Sequence, residues 1–262
     1  MLAIFLFLTC LIASGVGAVV GAGGGVIIKP VLDMVGVLPV STVSFCSGCT
    51  VLGMALCSLI HNRNDGVKIK TDTSTALAIG AVLGGLLGKW LFELVRGGVN
   101  NEQFLGAVQA VLLTLITFGV FLYICNKDRL PSMNVNSLAV AVIIGIFLGI
   151  ISTFLGIGGG TSNVAILFFF FSMEAKEAAK NSLYIIIFSQ ISSIITAVVT
   201  NSVPAFQIAH LICMMLGGIG GALLGAHITK RMDNKGIENI LKILLLIIIA
   251  IDFYNILQYT VL

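Results

Sequence analysis

Charged residues are what this sequence of 262 residues has least of. Only 10% of the residues are Asp, Glu, Lys or Arg, whereas 58% are hydrophobic. An average soluble domain is about 25% charged and about 45–50% apolar. A water-soluble fold of this length needs far more polar surface than the chain supplies. The composition therefore argues against a soluble enzyme, a nucleic-acid-binding protein and a disordered chain.

Signatures of soluble catalysis are missing as well. The sequence has no HExxH, GxSxG or Walker motif, and no loop long enough to hold a nucleotide-binding domain. Six cysteines lie in or at the ends of apolar stretches and form no disulfide framework of the secreted type. We therefore expect no enzyme, no cofactor and no metal site.

Long apolar runs are what the chain has in abundance. About 20 apolar residues span a bilayer, and eight runs approach or exceed that length, at about 2–20, 40–60, 74–95, 104–125, 137–155, 181–200, 206–228 and 238–259. Two more, at about 26–38 and 161–172, are too short to span comfortably. The pattern predicts an all-α polytopic membrane protein with eight full transmembrane helices and two short, broken or re-entrant segments.

Each short run follows a glycine cluster, and the two clusters indicate a duplication. Gly21–Gly25 and Gly156–Gly160 lie 135 residues apart, and the same offset pairs Ser47 with Ser182. After a two-residue insertion, a second set of glycines also matches, Gly80, Gly84 and Gly88 with Gly217, Gly221 and Gly225. We predict two membrane repeats, residues 1–130 and 131–262. The matched glycine ladders are best explained by close helix packing.

The distribution of basic residues predicts the orientation of the two repeats. Lys and Arg cluster at 61–72, 126–136, 174–180 and 229–242, whereas the loops near 36–40 and 200–206 carry none. Cytoplasmic loops are the positive ones. All four clusters fall on one side only if each short segment returns the chain to the side where the preceding span began. The second repeat is then inverted, and both termini are extracytoplasmic. Inverted repeats with broken segments are typical of secondary transporters, with the substrate site between the halves.

The glycine clusters are the strongest candidates for that site. Helices that begin at membrane depth direct free N–H groups and a positive dipole end into a cavity, which suits an anion. Neighbouring hydroxyl, amide and ammonium groups would complete the shell. The predicted substrate-binding residues are Gly23, Gly24, Gly25, Lys29, Ser47, Gly158, Gly159, Gly160, Thr161, Ser162, Asn163, Asn181 and Ser182. Two alternatives remain at this point: the glycines serve close packing only, and Lys29 pairs with Asp33 at i+4.

Other polar groups in the spans have blander explanations. Lys89 and Glu93 are expected to form a structural i, i+4 pair that snorkels towards the interface. A stripe of hydroxyls along one helix face, which includes Ser193, is assigned to interhelical hydrogen bonding in its lower part. His210 is expected to be interfacial, although it could carry a proton.

The motif Cys46-Ser47-Gly48-Cys49 leaves a rival function open. Two thiols at i, i+3 on a membrane helix could exchange electrons, as redox motifs do. A membrane thiol–disulfide electron carrier that uses Cys46 and Cys49 is therefore one alternative, and a non-transporting membrane scaffold is another.

These motifs resemble those of a known family. Gly21-Ala-Gly-Gly-Gly25-Val-Ile-Ile-Lys-Pro30 is similar to the GxGGGxxxxP element of the sulfite exporter TauE/SafE family, also called the 4-toluene sulfonate uptake permeases, and Gly156–Gly160 looks like its second copy. Ala179–Leu183 resembles the family's A-x-[TN]-S-L element, whereas Ala165 stands where a proline is common. The resemblance implies a secondary carrier of sulfite or a related sulfur-containing anion in the plasma membrane, coupled to a proton or sodium gradient.

Overall fold

The computed structural model describes residues 2–99, 102–130, 132–157 and 159–261. Over these residues the chain is all helical, without strands. Its ten α-helices, with a single 3-10 turn at Lys127–Arg129 after the fifth, are α1 (Leu2–Val20), α2 (Gly25–Val35), α3 (Val40–His61), α4 (Thr71–Val99), α5 (Glu102–Asn126), α6 (Leu138–Leu155), α7 (Gly160–Phe171), α8 (Ala175–Val199), α9 (Ile208–Arg231) and α10 (Asn234–Val261).

The predicted spans are confirmed. Eight of the described helices are long and apolar enough to cross a membrane, and α2 and α7 are the two short segments. At about 1.5 Å per residue, α2 and α7 are shorter than a hydrocarbon core of about 30 Å. Several long helices extend past their apolar runs, and α8 begins at Ala175 with good helix formers such as Ala178 and Ala179. Hydropathy therefore locates the part of each helix that spans the membrane, and residues of high helix propensity extend helices such as α8 beyond it.

The glycine ladders explain the two largest helix pairs. A Cβ at Gly80, Gly84 or Gly88 of α4 would lie less than 3.0 Å from backbone atoms of α6. A Cβ at Gly217, Gly221 or Gly225 of α9 would meet the backbone of α1 in the same way. Only glycine allows backbones to approach this closely. The structural interpretation of both ladders is therefore confirmed.

The four basic loops lie together on one face of the helix bundle, here called the basic face. The Lys180 ammonium of α8 donates to Asp65 and to the carbonyl oxygens of Asn62 and Val67 in the loop before α4. Lys127 pairs with Glu238 of α10. Two further hydrogen bonds hold the remaining segments on the same face. The Met133 backbone amide donates to the Phe169 carbonyl, and the Asn234 side-chain amide donates to the Glu174 carboxylate.

The basic-poor loops, the start of α1 and the end of α10 lie on the opposite face, here called the termini face. Leu2 and Phe5 pack in one apolar cluster with Leu38 and Phe206, which belong to two different loops. Gln258 near the end of α10 lines a cavity with residues of the 36–39 loop. Each short helix thus returns the chain to the face where the preceding helix began, α2 to the termini face and α7 to the basic face.

The main helix contacts occur in matching pairs, so that each contact has an equivalent between the corresponding helices of the other half. Helix α1 packs on α9, and its counterpart α6 packs on α4. Helices α3 and α9 pack together as α8 and α4 do, while α3 with α8 and α5 with α10 are contacts between counterparts. Apolar side chains such as Ile4, Ile143 and Ile212 cover the outer surface of the bundle. This surface matches the lipid environment that the composition requires.

Lys180 holds the basic face together, and Lys180→Met tests this. We expect the variant to lower the free energy of unfolding by about 2 kcal/mol, below the range for fully buried pairs, because Asp65 is partly solvated. Thermal unfolding of the purified protein measures the change. Lys68→Met is the matched control, since Lys68 is exposed in the same loop. Equal stabilities of the two variants would contradict the role given to Lys180.

Candidate functional site

Each glycine cluster forms a tight turn against the other half of the molecule. Gly21 adopts φ 71°, and a Cβ there would collide with the backbone of Ala179 in α8. The Ser182 hydroxyl donates to the Gly21 carbonyl at 2.7 Å. Gly156 adopts φ 68° and packs in the equivalent way on Ser44 of α3. Both turns need glycine for its left-handed backbone and for the close approach.

The two turns meet at the centre of the bundle. A Cβ at Gly25 would collide with the Ile157 carbonyl, and one at Gly160 would press on Val26 at the start of α2. Gly23 faces Val51 of α3 and Ile186 of α8, and both side chains are fully buried. The beginnings of α2 and α7 are therefore brought together, as the sequence predicted, but apolar side chains pack around them.

The predicted donors that follow the second glycine cluster are buried in this layer. Thr161, Ser162 and Asn163 are each less than 10% exposed. The Asn163 side-chain oxygen and the Ser47 hydroxyl have no hydrogen-bond partner within the described part of the chain. Gly159 adopts φ 95° beside the Asn163 amide, and Gly24 packs on Ser14. Gly158 lies outside the described residues.

Two predicted site residues have other partners. The Asn181 side-chain oxygen accepts from the Ser74 hydroxyl and from the Lys70 backbone amide on the basic face. The Lys29 ammonium lies 2.6 Å from the Asp33 carboxylate, so the i, i+4 pair is formed. These contacts give Asn181 and Lys29 structural roles in this conformation.

A cavity of about 50 Å³ opens on the termini face between α3, α4, α6 and α8. Gly156 lies in its wall, and the hydroxyls of Ser44, Ser152 and Thr153 beside it have no hydrogen-bond partner among the described residues. Gln190 of α8 also lines it. Unpaired hydroxyl groups around a small cavity are well placed to donate to a polar ligand.

Two cations also line the termini-face cavity. The Lys89 ammonium lies 2.7 Å from Glu93, and an Arg96 nitrogen lies 3.8 Å from the same carboxylate. The Glu93 carboxylate thus lies close to both cations. The predicted i, i+4 pair of Lys89 and Glu93 is present, but its cation lines a cavity.

A second cavity, of about 320 Å³, opens on the basic face. Three ammonium groups line it, those of Lys176, Lys180 and Lys230, against the single carboxylate of Asp65. The Ser58 hydroxyl in its wall has no partner among the residues described. This cavity has an excess of positive charge in its lining, which favours anions.

The two cavities are built from equivalent positions of the two halves. The offset of 135 that relates the glycine clusters also pairs lining residues of the basic-face cavity with lining residues of the termini-face cavity, Ala18 with Thr153, Ser58 with Ser193, Asn62 with Ala197, Lys176 with Ser41, Ala179 with Ser44, Lys180 with Phe45 and Leu183 with Gly48. An apolar cluster that includes Val51, Met54 and Ile186 lies between the cavities. The molecule thus has one polar vestibule on each face, separated by a packed layer.

Most of the residues that line the vestibules are not among the predicted site residues. Gln190 was not singled out, and Lys89 was assigned to the lipid interface. Ser193 was assigned to helix packing, but it lines the termini-face cavity. Lys89 could have been identified from the sequence, because an ionisable residue inside a membrane span is a functional candidate by default.

The CxxC motif lies on α3 with both thiols free. Cys46 packs among apolar side chains with Cys10 and Leu6, the surroundings of a structural cysteine rather than of a reactive one. Among the described residues, no group of three or more His, Cys, Asp and Glu side chains could hold a metal ion.

Comparisons with known proteins agree with this architecture. Two relatives from Bacillus subtilis (strain 168) are 23% identical, the probable membrane transporter protein YunE over 91% of this chain and 92% of its own length, and the probable membrane transporter protein YjnA over 88% and 93%. The sulfate permease CysP of the same organism is 30% identical over 59% of this chain and 41% of its own length. No solved structure matches the chain.

A family model accounts for the whole bundle. The model described as Sulfite exporter TauE/SafE matches residues 6–251, from α1 into α10, and so includes both glycine turns and both vestibules. The full-length relatives are named as membrane transporters, as expected for a bundle with eight spans and polar vestibules on both faces. This chain is a multi-pass membrane transporter that belongs to the sulfite exporter TauE/SafE family.

Proposed function

We propose that the protein is a secondary transporter that moves sulfite or a related small sulfur-containing anion across the plasma membrane by alternating access. The pair of vestibules carries this proposal, because equivalent positions build one on each face and cationic side chains line both. The sulfate permease name of CysP and the family description support an oxyanion. The positive-inside rule assigns the basic face to the cytoplasm and both termini to the exterior.

The mechanism follows from the layer between the vestibules. We propose that residues 1–130 and 131–262 are inverted repeats that rock against each other, with α3 and α8 as the moving contact. Separation of Val51 from Ile186 would open the layer to one vestibule at a time. The free N–H groups at the starts of α2 and α7, with Ser47, Thr161, Ser162 and Asn163, would then face the anion.

The vestibules would concentrate the anion on its way to this layer. In the termini-face cavity, Lys89 and Arg96 supply positive charge and Ser44, Ser152 and Thr153 supply hydroxyl donors. A tetrahedral or pyramidal oxyanion accepts hydrogen bonds from several directions, which suits a wall of separate small donors. Neither vestibule offers a carboxylate-rich lining that would attract a cationic substrate.

Uptake into proteoliposomes tests the proposed function. Radiolabelled sulfite is expected to accumulate in vesicles with the protein, and an excess of unlabelled sulfate or thiosulfate is expected to compete, whereas choline is not. Gly159→Leu is expected to abolish uptake, because a side chain there would fill the start of α7 beside Asn163. Gly119→Leu is the control, since a Cβ at Gly119 meets nothing within 4 Å.

Two results would contradict the proposed function. If vesicles with and without the protein take up sulfite, sulfate and thiosulfate at the same rate, the protein is not a carrier of small sulfur oxyanions. If Gly159→Leu keeps full uptake, the anion does not pass the glycine turns.

A further inference from the structure

A cluster of buried polar residues lies apart from both vestibules, where α2, α5 and α10 meet. It contains the ion pair of Lys29 and Asp33, the second carboxylate of Asp252, and the amides of Gln109 and Asn255. Each of these five residues is less than 10% exposed, and Asp252 and Asn255 are 1% exposed. Ionisable groups at this depth are costly and need compensation.

The charges of this cluster do not balance. Lys29 lies 2.6 Å from one oxygen of Asp33 and neutralises one carboxylate. Asp252 is left as a second carboxylate, and no other cationic side chain lines the cavity among the described residues. With both carboxylates ionised, the cluster has a net charge of −1. One additional positive charge would make the cluster neutral.

The polar atoms of the cluster that lack a hydrogen-bond partner among the described residues are all oxygens. The Asn255 amide nitrogen donates to the Pro30 carbonyl at 3.0 Å, and the Gln109 amide nitrogen donates to the Phe154 carbonyl at 2.6 Å. Because a carbonyl oxygen only accepts, these bonds fix both amides with their own oxygens turned away from it. One oxygen on each of four side chains has no partner among the described residues, those of Asp33, Gln109, Asp252 and Asn255.

The same four residues line a cavity of about 10 Å³, close to the space that one water molecule requires. Carboxylate and amide oxygens are the ligands that hard cations prefer. Asp33 also lines a neighbouring cavity of about 270 Å³ that opens on the termini face beside Gly36 and Pro39.

The second half of the chain does not repeat this ion pair. The repeat offset pairs Lys29 with Val164 and Asp33 with Phe168, so the corresponding helix α7 carries apolar residues at these positions. The Phe168 ring instead packs against the Lys127 ammonium, 4.3 Å from the ring centroid. The buried ion pair of Lys29 and Asp33 is thus specific to the α2 corner.

We propose that this cluster binds one sodium ion through the free oxygens of Asp33, Asp252, Gln109 and Asn255. The ion would supply the missing positive charge and a partner for all four oxygens. Its binding does not depend on the proposed function, whereas a role as the coupling ion of anion transport rests on that function. Helix α2 begins at the first glycine turn, so the ion would hold one end of the moving layer.

Thermal unfolding of the purified full-length protein tests the site without any transport. Replacing choline chloride by sodium chloride at constant ionic strength is expected to raise the apparent Tm by about 2–4 °C, because a ligand that binds only the folded state stabilises it. Asp252→Asn keeps the side-chain shape but removes the charge, and Gln109→Leu removes one oxygen. Both variants are expected to lose the sodium-dependent shift, whereas Asp72→Asn, at an exposed position of α4, is expected to keep it.

Two results would overturn the sodium site. One is an equal Tm of the wild-type protein in sodium and in choline, which needs no variant to fold. The other is a stabilisation produced by acid alone, which would indicate a proton on Asp252 with a water molecule in the cavity. A sodium-dependent shift without sulfite uptake would retain the cation site and remove the proposed function. Uptake without a sodium-dependent shift would do the reverse.

Discussion

Lys89→Met is expected to lower the initial rate of sulfite uptake at least about tenfold. The substitution removes one of the two cations of the termini-face vestibule and leaves Glu93 with Arg96 alone. A hydrogen bond to a charged group contributes about 1.5–3 kcal/mol, and about 1.4 kcal/mol corresponds to a factor of ten. The lining would also lose one of its positive charges, so the local anion concentration should fall as well. Initial rates in proteoliposomes over a range of sulfite concentrations measure the effect.

Two further variants separate this role from stability. Lys89→Arg keeps the positive charge and is expected to keep most of the uptake, because a guanidinium can still contact both Glu93 and an oxyanion. Lys235→Met removes an exposed lysine from the basic face and is expected to leave uptake unchanged. Wild-type rates in Lys89→Met, with the protein folded, would show that the anion does not use this vestibule.

Much of the fold could be predicted, because hydropathy, loop charge and glycine spacing determine most of it. Backbone groups in lipid must be paired within a helix, so apolar runs of about 20 residues identify the spans directly. The positions of the basic loops followed from charge alone, and the structure brings Lys180 and Lys127 to one face as expected. Spaced glycines such as Gly84 and Gly221 marked the helix contacts, since no other residue allows two backbones to touch.

The vestibules could not be predicted in the same way, because their residues come from separate helices. Ser44, Gln190 and Lys89 are far apart in the sequence, and each has a common explanation of its own as a packing or interfacial residue. The cavity exists because Gly156 turns the chain at the point where these helices meet. Contacts of this kind depend on helix rotation, which a weak hydropathy periodicity does not determine.

The sequence predicted that the two glycine turns lie together, but it did not predict which side chains surround them. The sequence placed the starts of α2 and α7 next to each other, and the structure does so through Gly25 and Gly160. Val51 and Ile186 fill the space in which an anion shell was expected. Since these two side chains occupy equivalent positions of α3 and α8, a single relative movement of the halves would displace both. The predicted binding shell therefore remains a prediction about an open state.

Gly84→Ala and Gly221→Ala are each expected to lower the free energy of unfolding by about 3 kcal/mol, the upper end of the range for overpacking. In both variants the new Cβ would lie less than 3.0 Å from a backbone carbonyl of the neighbouring helix. Because a backbone cannot rotate away as a side chain can, α4 must separate from α6, and α9 from α1. Gly119→Ala, which meets nothing within 4 Å, is expected to be neutral or slightly stabilising.

Thermal unfolding of the three purified variants measures these differences, and the comparison of the first two carries the most information. Gly84 and Gly221 are matched positions of the two halves, each at the middle of its ladder. If the halves are inverted repeats that pack by one rule, the two substitutions should cost the same within about 0.5 kcal/mol. Their effects should add in the double variant, because the two glycines contact different helices and the nearest atoms around them belong to different residues. A large cost at only one of the two positions would show that the halves do not share a common packing rule. A loss of stability in Gly119→Ala as large as theirs would show that any added methyl group is harmful, and that the ladders are not special.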